Sequence, residues 1–313
     1  MTITLRHAAG SGAVAGSLYC TAGMTIVGTS VALAPVLSGY PVLAGQAWRY
    51  LLAGAALLVA MRVGGRRLHL PSRRELGLLV LLAATGLAGF NWFLIEGARH
   101  ADPAFLATVI GATPLVLAVA GPSFAGARIR PLTVAGGVVV AGGIVLVQGA
   151  TSAPLVAVPY AVGFVLCEAA FTLLAASLLR TMDPTHLTTA VCLVAVPLLA
   201  ALAAIQPGPD LQVPTAREAL VLLYMAVLTT ATAFVLWYRG VVTLGADRAG
   251  LFTGVMPVAG VVASVVLGTA AWSASALGGA MLCAAGLLIG LNPARHIRST
   301  QAARQSGGSS GLA

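Results

Sequence analysis

The stretch Gly111–Gly121 reads GATPLVLAVAG and contains no charged side chain. It lies in an apolar run, residues 103–124, in which Pro114 follows Gly111 by three positions. A run of this length matches an α-helix that crosses the ~30 Å hydrocarbon layer of a membrane. A proline inside a helix cannot donate a backbone hydrogen bond, so it frees the carbonyl group four residues earlier. The stretch therefore predicts a membrane helix that is interrupted near its middle.

The whole chain has the composition of a membrane protein. Of its 313 residues, 59% are hydrophobic and 8% are charged, whereas soluble domains carry about 25% charged residues. Backbone groups in lipid must pair with each other, which favours helices. The sequence predicts an all-α integral membrane protein with ten transmembrane helices. The predicted spans are 13–34, 41–63, 76–98, 103–124, 131–149, 156–179, 185–205, 219–240, 249–269 and 272–291.

The distribution of basic residues predicts the orientation of these spans. All 17 basic residues are arginines. If both termini are cytoplasmic, fourteen of them fall on the cytoplasmic side, Arg99 and Arg217 fall outside, and Arg49 lies within a span. Cytoplasmic loops of membrane proteins carry such an excess of positive charge. The net charge of +9 therefore indicates a multi-pass protein of the plasma membrane with both termini in the cytoplasm, and does not indicate a nucleic-acid partner.

An internal repeat appears when the chain is shifted by 143 residues. We call two residues that are 143 positions apart mates. The coinciding pairs are Arg74-Glu75 with Arg217-Glu218, Gly97 with Gly240, Gly111 with Gly254, Pro114 with Pro257, Gly136 with Gly279, and Gly143 with Gly286. Internal repeats are typical of secondary transporters.

The repeat predicts a division into two halves. Residues 1–150 form a first five-helix repeat, residues 151–292 a second one, and residues 293–313 a flexible cytoplasmic tail. Since five is an odd number of crossings, the second repeat is expected to be inverted in the membrane. Inverted repeats place the substrate site near the middle of the membrane, between the halves.

Five stretches give the chain a family resemblance. They are PVLAGQAWR (Pro41–Arg49), GATPLVLAVAG, GVMPVAG (Gly254–Gly260), AGGVVVAGG (Ala135–Gly143) and LGGAMLCAAG (Leu277–Gly286). With the ten spans, they make the chain similar to EamA-type members of the drug/metabolite transporter superfamily over about residues 12–292. The resemblance implies secondary transport by alternating access, most often export, of a metabolite, an amino acid or a drug-like compound.

Two ionisable residues lie deep inside predicted spans, away from the span ends. Counting 1.5 Å per helical residue, Glu168 is roughly 18 Å and Arg49 about 12 Å below the outer surface. Such groups usually mark function. Glu168 either binds a proton or a substrate amine, or is a protonated structural acid. Arg49 either clamps an anion, pairs with Glu168, or extends to the interface. A lone carboxyl group favours proton coupling over a sodium site.

Further candidates are polar or aromatic residues within spans. Substrate or coupling candidates are Asn91, Trp92, Tyr19, Tyr160, Thr230 and Trp237. Trp48, Tyr50, Tyr238 and Trp272 are typical of the aromatic belt at the membrane interface. Gly111, Pro114, Gly254 and Pro257 predict two hinges or cavity-lining breaks, or else two tolerated kinks.

The sequence offers little for other chemistry. It contains neither a phosphate-binding GxxxxGK[ST] motif nor an HExxH zinc motif, and its five histidines lie in loops or at span ends. We expect no cofactor, no metal and no enzymatic activity. The alternatives left open are an intramembrane enzyme and a non-transporting scaffold subunit. Glycines of the fifth and tenth spans permit close helix packing, either on each other or in a homodimer.

The orientation can be tested with reporter fusions. Fusions after Arg74, Arg180 and Arg298 are expected to report the cytoplasm, and fusions near Asp102 and Pro209 the outside, because the arginines define the cytoplasmic side. Paired phosphatase and fluorescent reporters measure this directly. A cytoplasmic signal at Pro209 would contradict the inverted repeat.

Overall fold

The computed structural model describes residues 2–37, 39–66, 70–101, 103–149, 154–205 and 213–292. Within these ranges the chain is helical and has no strand. The predicted tail, 293–313, lies outside the described residues, as do Asp102 and Pro209.

Each predicted span overlaps one helix of the described part. The helices are α1 (Thr2–Leu33), α2 (Val42–Val63), α3 (Arg73–His100), α4 (103–124), α5 (Pro131–Gln148), α6 (Leu155–Leu178), α7 (Pro184–Ile205), α8 (Ala216–Leu244), α9 (Ala246–Val266) and α10 (Ala274–Leu291). Eight of them, α2, α3 and α5–α10, are long and apolar enough to cross a membrane. In α4 the segment Ile110–Phe124 is a shorter apolar helix. The all-helical fold is confirmed, and the count of ten crossings stays a prediction.

The Arg-Glu pairs of the repeat belong to two helix starts with the same geometry. At the start of α3 the Ser72 hydroxyl accepts from the backbone N–H of Glu75, and the Glu75 carboxylate accepts from the backbone of Ser72. Thr215 and Glu218 make the same reciprocal contacts at the start of α8. Both capping residues have φ −61° and ψ 162°. This capping box satisfies N–H groups that a helix start otherwise leaves unpaired.

Two further irregularities also recur in both halves. A π-helical turn widens α3 at Ala83–Gly89 and α8 at Met225–Thr232. Short 3₁₀ turns occur in α4 at Ile110–Ala112 and in α9 at Leu251–Gly254. The 3₁₀ turns stand just before Pro114 and Pro257, where the sequence predicted interruptions. Sequence reasoning did not foresee the π turns, which often mark functional sites.

The contacts between helices follow the repeat. Helix α1 packs on α8 and α9, and the corresponding helix α6 packs on α3 and α4. Helices α2 and α7 pack on each other, as do α5 and α10. Exchanging the two halves therefore leaves this list of neighbours unchanged. The inverted orientation in the membrane stays a prediction.

The glycines of α5 and α10 pack on each other. A Cβ atom on Gly143 would lie 2.8 Å from the carbonyl oxygen of Gly279, and one on Gly279 would lie 2.6 Å from that of Gly143. Gly136 and Gly286 approach each other in the same way, at 2.6 and 2.7 Å. The structure thus uses these glycines within one chain, and they give no support to the homodimer that the sequence left open.

This packing predicts a large difference between neighbouring glycines. Gly143→Val should destabilise the protein by about 1–3 kcal/mol or more, because the added atoms would overlap the α10 backbone. Gly142→Val is the matched control, since a Cβ atom there meets nothing within 4 Å. Thermal unfolding of both variants in detergent measures the difference. Equal melting temperatures would contradict the α5–α10 contact.

Candidate functional site

Five helices bring polar side chains together inside the bundle. We call Tyr50 (α2), Asn91 (α3), Glu168 (α6), Cys192 (α7) and Tyr238 (α8) the interior polar cluster. Asn91 is 4% exposed, Tyr50 4% and Tyr238 0%. The Tyr50 side chain lies near Asn91. Glu168 and Cys192 lie close to both tyrosines. The cluster therefore joins residues of both repeats.

Arg49 lies beside this cluster and is anchored to the π turn of α8. Its Nε donates to the Thr230 hydroxyl at 2.5 Å, and its Nη2 donates to the Thr229 carbonyl at 3.5 Å. Its Nη1 donates to Gln46 Oε1 at 3.4 Å. Neutral oxygen atoms thus accept hydrogen bonds from a guanidinium that is only partly exposed. Without these bonds, its N–H groups would be withdrawn from water and have no partner.

The π turn of α3 positions the second polar group. Asn91 lies two residues after the end of this turn, and its Nδ2 donates to the Leu87 carbonyl at 2.6 Å. Its side chain is therefore held by its own helix through this hydrogen bond. Both π turns contact the central pair of helices, because α2 packs on the turn of α8 and α7 on the turn of α3.

Glu168 is partly exposed, and among the described residues it has neither a hydrogen-bond partner nor an ion-pair partner. The ion pairs of the described residues join Arg66 to Asp183, Arg99 to Glu96 and Arg130 to Asp247. Arg49 and Glu168 therefore do not pair in this structure. Carboxylates inside proteins are normally paired, so this unpaired side chain is a candidate for binding a proton or a ligand.

Three aromatic rings pack together where α6 meets α8, and one of them, Phe171, follows Glu168 by three residues. Phe171 lies 5.1 Å from the ring of Phe234 and 5.6 Å from that of Tyr238, and the last two are 6.2 Å apart. We call these three residues the aromatic triad. The Tyr238 hydroxyl is buried and has no hydrogen-bond partner among the described residues. Such an atom costs free energy unless something else pairs with it.

A profile of the EamA-like transporter family matches this chain twice, at residues 14–148 and 155–291. The chain belongs to the EamA-like transporter family. The two matches together cover nearly the whole chain, and each falls within one predicted repeat.

Two relatives named as transporters agree with this assignment, and one solved structure shares the fold. The chain is 26% identical to the "Uncharacterized transporter YetK" of Bacillus subtilis (strain 168) over 255 residues, which cover 79% of the chain and 77% of the relative. It is 28% identical to the "Uncharacterized transporter YdeK" of the same organism over 221 residues, 69% and 74% of the two chains. A crystal structure with 21% identity covers 95% of this chain and 99% of its own, with a TM-score of 0.76. That structure shows the fold alone.

In this EamA-family chain only some of the predicted site residues come together. Glu168 and Asn91 belong to the interior polar cluster, and Arg49 with Thr230 lies beside it. Trp237 is 2% exposed and belongs to the apolar core.

Three other predicted candidates make aromatic or cation–π contacts outside the interior polar cluster. Trp92 packs on Phe93 at 4.9 Å and on Tyr160 at 6.2 Å, and Tyr160 stacks on His100 at 5.0 Å. The Tyr19 ring lies under the Arg239 guanidinium, 5.8 Å away and towards the opposite end of the bundle.

Two aromatic residues were wrongly predicted from sequence. Tyr50 and Tyr238 were expected at the membrane interface, yet both are buried in the interior. Trp48 and Trp272 are 44% and 53% exposed, as expected for the interface. Tyr50 immediately follows Arg49, which the sequence places well below the membrane surface. The same depth applies to Tyr50, so its sequence position already indicated an interior location.

The predicted hinge residues face other helices. Gly111 lies against Ile144 of α5, and Gly254 lies against Val140 of α5 and Cys283 of α10. Pro114 and Pro257 are buried beside them. These contacts place the interruptions of α4 and α9 against the glycine-packed helix pair. A hinge role stays a hypothesis.

The anchoring of Arg49 can be measured by a double-mutant cycle. Arg49→Met and Thr230→Val should each lower the free energy of unfolding by about 1–3 kcal/mol, because each leaves a polar partner unsatisfied. The double variant should lose less than the sum, with a coupling of roughly 0.5–3 kcal/mol. Thr232→Val is the control, since its hydroxyl donates to Val227 and not to Arg49. Strict additivity in detergent unfolding would contradict the contact.

Proposed function

We propose that this chain exports a small organic molecule across the plasma membrane by alternating access, with Glu168 as the coupling residue. Membership of the transporter family supports transport. The observation that carries the finer proposal is Glu168 itself, a partly exposed and unpaired carboxyl group inside the bundle, between side chains of both repeats.

Proton coupling is proposed because the Glu168 carboxyl group can gain and lose a proton. A carboxyl group in such surroundings can change charge by one proton, and a cationic substrate group can replace that proton. No group of three or more acidic, cysteine or histidine side chains occurs among the described residues. A lone carboxyl group without a second carboxylate beside it favours a proton over sodium as the coupling ion.

Arg49 would contribute the opposite charge to the site. A guanidinium has five N–H donors, and the contacts to Thr230, Thr229 and Gln46 use three of them. The remaining donors can meet an acceptor on the substrate, as the clamp hypothesis requires. Asn91 and Tyr238 would supply neutral polar contacts between the two charges.

The exported solute can be found by comparing metabolites. Cells with the wild-type gene should release a solute that cells without it retain, and an acidic medium should increase the release, because protons would then enter as the solute leaves. Comparison of media and cell extracts by mass spectrometry identifies the solute, and proteoliposomes loaded with it measure its flux.

Glu168→Gln should abolish the pH dependence of this flux and leave expression unchanged, because glutamine resembles the protonated acid but cannot release a proton. Glu96→Gln is the matched control, since Glu96 pairs with Arg99 away from the cluster. Wild-type flux with the wild-type pH dependence in Glu168→Gln would refute the coupling role. Release of no solute by any variant would favour the scaffold alternative.

A further inference from the structure

We propose that a basic cavity at one end of the bundle binds a phosphate group, which either an anionic phospholipid or a soluble phosphate compound supplies. The cavity measures about 340 Å³, a volume in the range of ligand pockets. It lies where the end of α4, the residues before α5, the end of α6 and the junction of α8 with α9 meet. Neither Arg49 nor Glu168 lines it, so the inference goes beyond the proposed function and does not depend on it.

Three guanidinium groups and one carboxylate line this cavity. The guanidinium groups belong to Arg128, Arg130 and Arg180, and the carboxylate belongs to Asp247. Arg130 pairs with Asp247 at 3.9 Å. Among the described residues, the side chains of Arg128 and Arg180 have neither a hydrogen-bond partner nor an ion-pair partner. The lining therefore carries an excess of positive charge, and two of its guanidinium groups are open to an added anion.

A fourth arginine adds to this positive charge. Arg248 lies close to Arg130 and Asp247. Its Nε atom is buried and has no hydrogen-bond partner in the part of the chain that the structure describes. Since like charges repel more strongly where water is excluded, the single carboxylate of Asp247 is shared by two neighbouring guanidinium groups. An anion bound in the cavity would reduce their repulsion.

A phosphate group suits both the charged and the apolar parts of the lining. A guanidinium presents two parallel N–H groups, which can bind two phosphate oxygens together. Basic pockets between membrane helices on the cytoplasmic side bind phosphate-containing lipid headgroups, and the predicted orientation places these arginines on that side. Phe124 and Val242 also line the cavity and are 66% and 57% exposed. Basic groups thus lie beside an apolar surface, as a phospholipid with its acyl chains requires.

Close packing of α4 on α9 fixes one wall of the cavity. A Cβ atom on Gly121 would lie 3.0 Å from the backbone nitrogen of Asp247, and one on Gly250 would lie 2.8 Å from Leu117. These contacts hold Asp247 in place, and its ion pair holds Arg130. The site is therefore largely formed before a ligand arrives, which lowers the ordering cost of binding.

The repeat does not require arginine at these positions. The three arginines of the lining have uncharged mates, which are Ala271, Ser273 and Leu37. The alternative explanation for the arginines is the positive charge of cytoplasmic loops, which orients a chain without any ligand. Orientation depends on charge, whereas bidentate binding of phosphate depends on the planar shape of the guanidinium. Replacement of arginine by lysine separates the two explanations.

Binding can be measured on the purified full-length chain in a nonionic detergent. Thermal unfolding would be followed with sodium phosphate against sodium chloride at equal ionic strength, and with phosphatidylglycerol against phosphatidylcholine in the micelles. A higher Tm with phosphatidylglycerol assigns the phosphate group to a lipid, and a higher Tm with inorganic phosphate assigns it to a soluble compound. Titration of the effective ligand gives its apparent Kd.

Replacement of the two unpaired arginines should weaken this binding. Arg128→Gln combined with Arg180→Gln should raise the apparent Kd by about tenfold or more, because hydrogen bonds between charged groups are lost. Lysine at both positions keeps the charge, and with it the orientation, but should still bind more weakly than the wild type, because the forked geometry is lost. The lysine variant also keeps the test valid if the glutamine variant fails to fold.

Replacement of the carboxylate should act in the opposite direction. Asp247→Asn removes the one negative charge of the lining and releases Arg130, so the apparent Kd should fall by up to about fivefold. A purely structural role of this charge cluster would leave the Kd unchanged in Asp247→Asn.

The matched control is Arg73→Gln combined with Arg74→Gln. It removes the same charge on the same predicted side, and neither residue lines the cavity, so it should keep the wild-type Kd. Three results would overturn the proposal: no rise in Tm with either ligand, a wild-type Kd in the double glutamine variant at positions 128 and 180, or an equal loss of binding in the control. Because binding is measured without transport, the flux test on Glu168→Gln can fail while this site stands.

Discussion

The hydrogen bonding of the backbone in hydrocarbon is the constraint on which the rest of this structure depends. Because lipid offers no partner for N–H and C=O groups, the described chain is helical throughout its apolar segments. Departures from the regular helix must then be satisfied inside the protein. The π turn of α8 meets this condition, since the Thr229 carbonyl accepts from Arg49. In the π turn of α3, the Leu87 carbonyl accepts a hydrogen bond from the Asn91 side chain. Each π turn therefore has a polar side chain that donates to one of its carbonyl groups.

The two repeats have the same backbone features but different residues at the candidate site. The capping boxes, the π turns and the 3₁₀ turns recur in both halves with nearly the same spacing. The residues of the site do not recur. The mate of Arg49 is Cys192, the mate of Glu168 is Thr25, and the mate of Phe234 is Asn91. The two repeats thus share their helix geometry but carry different side chains at corresponding positions.

The sequence was sufficient for the features that depend on local chemistry. Apolar runs of about 20 residues and the charge distribution predicted the helices, and the paired prolines predicted the interruptions of α4 and α9. The Ser72 and Thr215 capping boxes were also readable, since Ser or Thr followed three residues later by Glu is a known signal. Features that depend on helix packing were not readable. The direction of Tyr50 and Tyr238 and the partner of Arg49 follow from which helices meet, and no pattern within one helix contains that information.

The separation of Arg49 from Glu168 is the consequence that matters most for function. A carboxyl group held in an ion pair resists protonation, because the partner charge stabilises its ionised form. Here the Thr230 hydroxyl and the Thr229 carbonyl satisfy Arg49 without any negative charge. The described contacts therefore leave both Arg49 and Glu168 without an ion-pair partner. Under the proposed function, an interior that holds the two charges apart can bind a proton at the carboxyl group and a substrate group at the guanidinium, which a closed ion pair could not do.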